Sequence, residues 1–142
     1  VIKQLEVYKD NSKGTYRGIR RDFYPRWRGW ALLEDGWGYE ELEVAVEEFY
    51  ITYFFYQMKL DQLKSDAIAF LLLNFATQHG KRKCWEKVQR AVGNHSEGAK
   101  LIEEFNHIGT LGEYKLLLEI LEFMEYTKST NTEWVYKVYR TL

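Results

Sequence analysis

The sequence predicts a mainly α fold with an irregular, glycine-rich N-terminal segment, and three observations carry that prediction. Pro25 is the only proline among 142 residues, so everything after it is free of the residue that most reliably breaks a helix. From Tyr39 onward apolar residues recur at three- and four-residue steps, the period of a helix face. No strand-type alternation persists beyond a few residues, and no internal repeat is visible. The length suits one domain over residues 1–142, with an irregular part to residue 38 and a helical part from 39.

Residues 1–38 read as a short helix or lead-in followed by loops, with room for a hairpin, because Gly14, Gly18, Gly29, Gly36 and Gly38 recur without a period. A first long helix opens at Tyr39 and carries Leu42, Ala45, Val46, Phe49, Tyr53 and Tyr56 on one face. Its acids Glu40, Glu41 and Glu43 cluster near the start, where the helix dipole favours negative charge. Ser65-Asp66 caps a second helix, which runs to about Gln78, presents Ala69, Leu72, Leu73 and Ala76, and is stopped by Gly80.

A third helix is expected from about Lys83 to Val92, with Trp85, Val88 and Val92 inward and Gly93-Asn94 as its stop. A fourth runs from about Glu97 to Phe105. A long amphipathic helix over about 111–127 follows, through Tyr114, Leu117, Leu118, Leu121 and Met124, and the polar string from Thr127 to Asn131 breaks it. A final helix carries Trp134, Val135, Val138 and Tyr139.

Composition narrows the function classes. Apolar residues at 46% and charged residues at 29% are a globular balance, unlike a disordered tail or a collagen-like repeat. Cys84 is alone, so no intrachain disulfide can form. The longest apolar run, Ala67 to Leu73, is far below the roughly 20 residues of a membrane span, and membrane insertion is not expected. No basic-then-apolar leader is visible from Val1, and localisation is not legible. Net charge is −1, yet residues 1–30 hold eight Lys/Arg against three acids, a local +5 that could face an anionic polymer or simply solvent.

No metal or cofactor is expected. His79, His95 and His107 are isolated, no Cys-x-x-Cys or acidic calcium loop occurs, and glycine-rich phosphate loops and a serine nucleophile elbow are absent from the sequence. Carboxylates remain. Glu6 and Asp10 precede the glycine-bearing loop Ser12 to Ile19, and cleavage of a glycosidic bond needs a protonated carboxyl, commonly with a second polar group to place water. Aromatics supply the other half of a sugar site, since a sugar lays its apolar face on a ring. Of the 5 Trp, 11 Tyr and 8 Phe, the rings Phe49, Tyr53, Phe54, Phe70, Phe75, Trp85, Tyr114 and Trp134 fall on helix faces and read as core. Trp27, Trp30 and Trp37 lie among glycines and arginines, and either meet a ligand or pin the loop to the helices.

The run Asp10-Asn11-Ser12-Lys13-Gly14-Thr15-Tyr16-Arg17-Gly18-Ile19, followed by Pro25-Arg26-Trp27-Arg28-Gly29-Trp30, resembles glycoside hydrolase family 108, whose pattern is Asp-x-Gly-Gly-x-Thr-x-x-Gly-Ile with Pro-x-Trp-x-Gly-Trp in some members. Asp61 to Ser65, Leu72 to Gly80 and Val88 to Val92 are similar to the helical half of that family, described as a peptidoglycan domain. These matches cover roughly residues 6–93, and the rest is similar only in helical layout.

The resemblance implies a lysozyme-like helical domain, with 1–38 as its catalytic loop region and 39–142 as its peptidoglycan-domain-like part. It implies an N-acetylmuramidase, or secretion activator, that cleaves the bond between N-acetylmuramic acid and N-acetylglucosamine in peptidoglycan. Its partners are glycan strands rather than nucleic acid, and it acts at the bacterial cell wall. Glu6 stands where the family has the general acid of a Glu-Gly-Gly-Tyr motif, while Asp10, Thr15 and Tyr16 shape the pocket or orient water, and Trp27 and Trp30 meet substrate or pack the loop. The chain departs from the family in two places. Glu6 lacks the following glycines and precedes Asp10 by four positions rather than about nine, and Ser12-Lys13 replaces a glycine pair. Either the catalytic motif has degenerated, leaving a glycan-binding or regulatory relative, or residues after Glu6 are missing from the chain. A helical interaction domain of another kind, and a nucleic-acid binder using the basic N-terminus, are the readings outside the family.

Overall fold

A computed structural model describes residues 14–36 and 38–127, together with positions 135, 136, 138 and 140. The irregular part opens with a two-stranded antiparallel hairpin, β1 (Thr15–Tyr16) and β2 (Ile19–Arg20), with Thr15 opposite Arg20 and Tyr16 opposite Ile19. It continues into a short helix α1 (Gly29–Glu34), which glycine spacing alone did not reveal. Helix α2 (Tyr39–Tyr50) begins at an extended Gly38, has Glu40 and Glu41 in its first turn, and buries Leu42, Ala45, Val46, Phe49 and Tyr50.

The first long helix was expected to keep its face through Tyr56. Instead α2 widens at Ile51 into a π-helical stretch, Ile51–Tyr56, in which no residue is buried. A π turn holds more residues than an α turn, so the inward face is rotated out of register, and Tyr53, expected in the core, is exposed. Lys59 in the left-handed region (φ 58°) ends the stretch and leads to a 3-10 turn, Leu60–Gln62.

Helix α3 (Asp66–His79) is central. Ser65 Oγ accepts from the Ile68 N–H at 3.2 Å, and Ile68, Ala69 and every residue from Leu71 to Ala76 are buried, so the helix is enclosed all round. Helix α4 (Lys81–Val92) packs on it, α5 (Gly98–Ile108) packs on α4, and α6 (Thr110–Tyr126) packs along α4 and reaches α3 through Phe123 on Phe75. In α4 the inward residues are Cys84, Val88 and Ala91, with Trp85 and Val92 on the flanks. A single residue, Gly109 (φ 72°), joins α5 to α6. Helix α6 packs inward through Gly112, Leu116, Leu117, Ile120 and Met124. Tyr114 and Leu118, read as part of its buried face, are exposed, because α6 carries apolar residues on two faces and periodicity does not choose between them.

One continuous core cluster runs from Ile19 and Trp30 through α2 and α3 to α6, and includes Val135 and Val138. Trp134 and Tyr139 lie outside the described residues. The architecture is mainly α, with an irregular N-terminal segment held against the first long helix. No described helix is long and apolar enough to cross a membrane.

Candidate functional site

The hairpin is the best-anchored irregular element. Its two-residue loop, Arg17-Gly18, has φ of 51° and 83°, the double left-handed conformation of a type I′ turn, which matches the twist of the paired strands. Gly18 takes this conformation without penalty, whereas Arg17 needs outside support. Two contacts and the burial of a neighbouring residue provide it. Tyr50 donates its hydroxyl to the Arg17 carbonyl at 2.5 Å, the Arg17 guanidinium pairs with Glu43 at 2.9 Å, and Ile19 is wholly buried. The Arg21 N–H donates to the Gly14 carbonyl at 2.8 Å and closes the open end.

This anchoring fixes the two candidate residues of β1. Thr15 and Tyr16 are half-buried, and the Tyr16 ring stacks on Trp27 with centroids 6.3 Å apart. Burial raises the Tyr16 hydroxyl above the usual phenol range, the Glu43 carboxylate adds to the rise, and Arg17 opposes it. Tyr16 is therefore a neutral hydroxyl at physiological pH, able to donate to a ligand oxygen. Tyr50 is pushed up further, also by burial, and stays a donor to the turn.

Trp27 and Trp30 are both held by packing and hydrogen bonds in this geometry. Trp27 is half-buried, donates its indole N–H to the Ala45 carbonyl of α2 at 3.1 Å, and meets Trp30 edge-on at 5.1 Å. Trp30 is 6% exposed and donates to the Tyr24 carbonyl at 2.8 Å. Tyr24 in turn meets the Phe49 ring edge-on at 4.7 Å. A chain of rings from Tyr16 to Phe49 thus ties the hairpin, α1 and α2 together.

Among the described residues, four of the five arginines of the N-terminal segment pair with acids, Arg17 with Glu43 as above. Arg20 pairs with Asp22 at 2.7 Å, Arg21 with Glu34 at 2.6 Å and Arg28 with Glu48 at 3.0 Å. Asp22 is already in the sequence count of +5, but Glu34, Glu43 and Glu48 lie beyond residue 30 on α1 and α2 and offset it locally.

Glu6, Asp10 and Trp37 lie outside the described residues. Of the six candidate catalytic and substrate-binding residues, Thr15, Tyr16, Trp27 and Trp30 are brought into one assembly. Sequence reading missed Glu43 and Tyr50, which hold the turn from 26 and 33 residues away. Their contribution is tertiary, and no local pattern signals it. Among the described residues no cluster of three His, Cys, Asp or Glu could hold a metal ion.

The family model described as Glycosyl hydrolase 108 matches residues 6–80, which reach from Glu6 through the hairpin, α1 and α2 to the end of α3. No curated protein and no solved structure gives a significant match.

Proposed function

Since this chain belongs to glycoside hydrolase family 108, we propose that it is a lysozyme-like N-acetylmuramidase, which hydrolyses the bond between N-acetylmuramic acid and N-acetylglucosamine in peptidoglycan. The observation that carries the reading is the match itself, which begins at Glu6 and spans over half of the chain, including the rigid hairpin. Glu6 acts as the general acid. Its proton passes to the glycosidic oxygen as the C–O bond breaks, and water adds to the anomeric carbon, its second proton returning to a carboxylate. Asp10 and Thr15 orient that water or the sugar ring, and the neutral Tyr16 hydroxyl donates to a substrate oxygen. Trp27 braces Tyr16 from behind, and Trp30 braces Trp27. The hairpin suits this work because its turn is tied to α2 through Tyr50 and Glu43 and Tyr16 is stacked on Trp27, so little ordering is left to accompany binding.

Product chemistry tests the bond assignment. Purified sacculi are digested, the new reducing ends are converted to alditols with borohydride, and the fragments are read by mass spectrometry. Muramitol ends are expected. Glucosaminitol ends would move the cleavage to the other glycosidic bond.

The departure at Glu6 favours a second reading, in which the chain binds glycan without cleaving it. That reading predicts co-sedimentation with insoluble peptidoglycan and no soluble fragments.

A further inference from the structure

The outer face of α6 is unlike the outer face of an ordinary surface helix. Its inner face is filled by Leu116, Leu117, Ile120 and Met124. The opposite face carries Leu111 at 60% exposure, Leu118 at 66% and Tyr126 at 86%. On a helix, positions 111 and 118 lie two turns apart on one line, which the exposed Glu125 continues, and Tyr126 lies beside it on the same side. A helix apolar on both faces is normally covered on both. Val135 and Val138 are buried in the core cluster, whereas Leu118 is exposed.

The charges beside this stripe indicate what covers it. Lys115 and Glu122 are exposed on the same side, and neither has an ionic partner among the described residues. They lie symmetrically about a point between Leu118 and Glu119. A second α6 laid antiparallel across that point would set Lys115 against the partner's Glu122, and Glu122 against the partner's Lys115. The same register sets Leu111 against the partner's Tyr126, and Leu118 near its own symmetry mate. The face is therefore self-complementary in charge and in apolar shape, as a two-fold interface requires. A parallel arrangement would instead set Lys115 against Lys115 and Glu122 against Glu122.

We propose that α6 is the interface of a homodimer, in which two copies of this chain pair antiparallel through Leu111, Leu118 and Tyr126, with two Lys115–Glu122 ion pairs across the axis. One helix per subunit is a small interface, so the association is weak and depends on concentration. It is independent of the catalytic reading. On a polymeric ligand, two linked sites would raise avidity without any new contact at either site.

Sedimentation equilibrium of the full chain tests this. The mass should rise from 17.1 kDa toward twice that value as concentration is raised to roughly 100 μM, the range of a small interface. Leu118→Glu should hold the mass at the monomer value, with the helical circular dichroism unchanged. Lys115→Glu and Glu122→Lys should each weaken association at least tenfold, because like charges then face each other. The double variant Lys115→Glu/Glu122→Lys should restore it. A wild-type chain that stays monomeric, a dimer indifferent to Leu118→Glu, or a double variant no better than the singles overturns the proposal.

Discussion

Arg17 is a non-glycine residue at positive φ, and the side chains around it determine whether the hairpin keeps its shape. Removing the Tyr50 hydroxyl leaves the Arg17 carbonyl without its 2.5 Å donor, so Tyr50→Phe should destabilise the protein by about 1–3 kcal/mol in urea titration. The Arg17–Glu43 pair is about three-quarters buried at both ends, and a cycle of Arg17→Met and Glu43→Gln should return a coupling of roughly 0.5–1.5 kcal/mol. A coupling near zero would mean that the turn does not depend on the pair. Residue-scale chemistry also separates Cys84 from the site. It is wholly buried, its Sγ approaches the Leu72 carbonyl at 3.6 Å, and burial pushes its thiol well above the usual range. The native protein should therefore resist a thiol reagent at pH 8 that labels it at once in guanidinium.

At the scale of elements, legibility followed local punctuation. Helix α3 could be read from its Ser65-Asp66 start and its Gly80 stop, because capping and termination are decided by a few adjacent residues. The π-helical stretch could not be read, since Ile51 to Tyr56 continues the apolar pattern of α2 and only packing shows that the register has shifted. Helix α1 was hidden for a related reason. Gly29 reads as a loop residue, yet its missing Cβ is what lets the Trp27 ring lie against α1, where a methyl group would overlap the six-membered ring. Gly29→Ala should accordingly displace Trp27 and cost about 1–3 kcal/mol, with a change in near-ultraviolet dichroism or tryptophan emission. An unchanged spectrum and stability would show that the ring is not packed there. For the candidate site, the hairpin residues and indoles were legible as a group, but the partners that hold Trp27 and Trp30, Ala45 and Phe49 of α2 and the nearby Tyr24, are set by tertiary packing.

Across the whole molecule, stability should respond to pH through His79. Its ring packs against Phe75 and Phe123, which also meet each other, and burial lowers its affinity for a proton below the usual imidazole value. The unfolded chain therefore takes up the proton first as pH falls. His79 supports the fold fully above about pH 6.5 and progressively less as pH drops through that value toward its lower folded pKa. Midpoints of thermal unfolding measured from pH 8 to 5 should fall less steeply in His79→Phe than in the wild type, and parallel curves would remove His79 from the effect. The family match ends with α3, so the hydrolase-family portion, residues 6–80, is followed among the described residues by α4, α5 and α6, of which α4 packs directly on α3. The claim that joins these scales is that the hairpin presents a glycan bond to Glu6. Loss of turbidity of a purified peptidoglycan suspension, compared between the wild-type chain and Glu6→Gln at equal folded concentration, tests it most directly. The account predicts clearing by the wild type and a loss of at least about 100-fold in the variant, as expected for removal of a general acid. Equal clearing by both proteins, or none by the wild type, would contradict it.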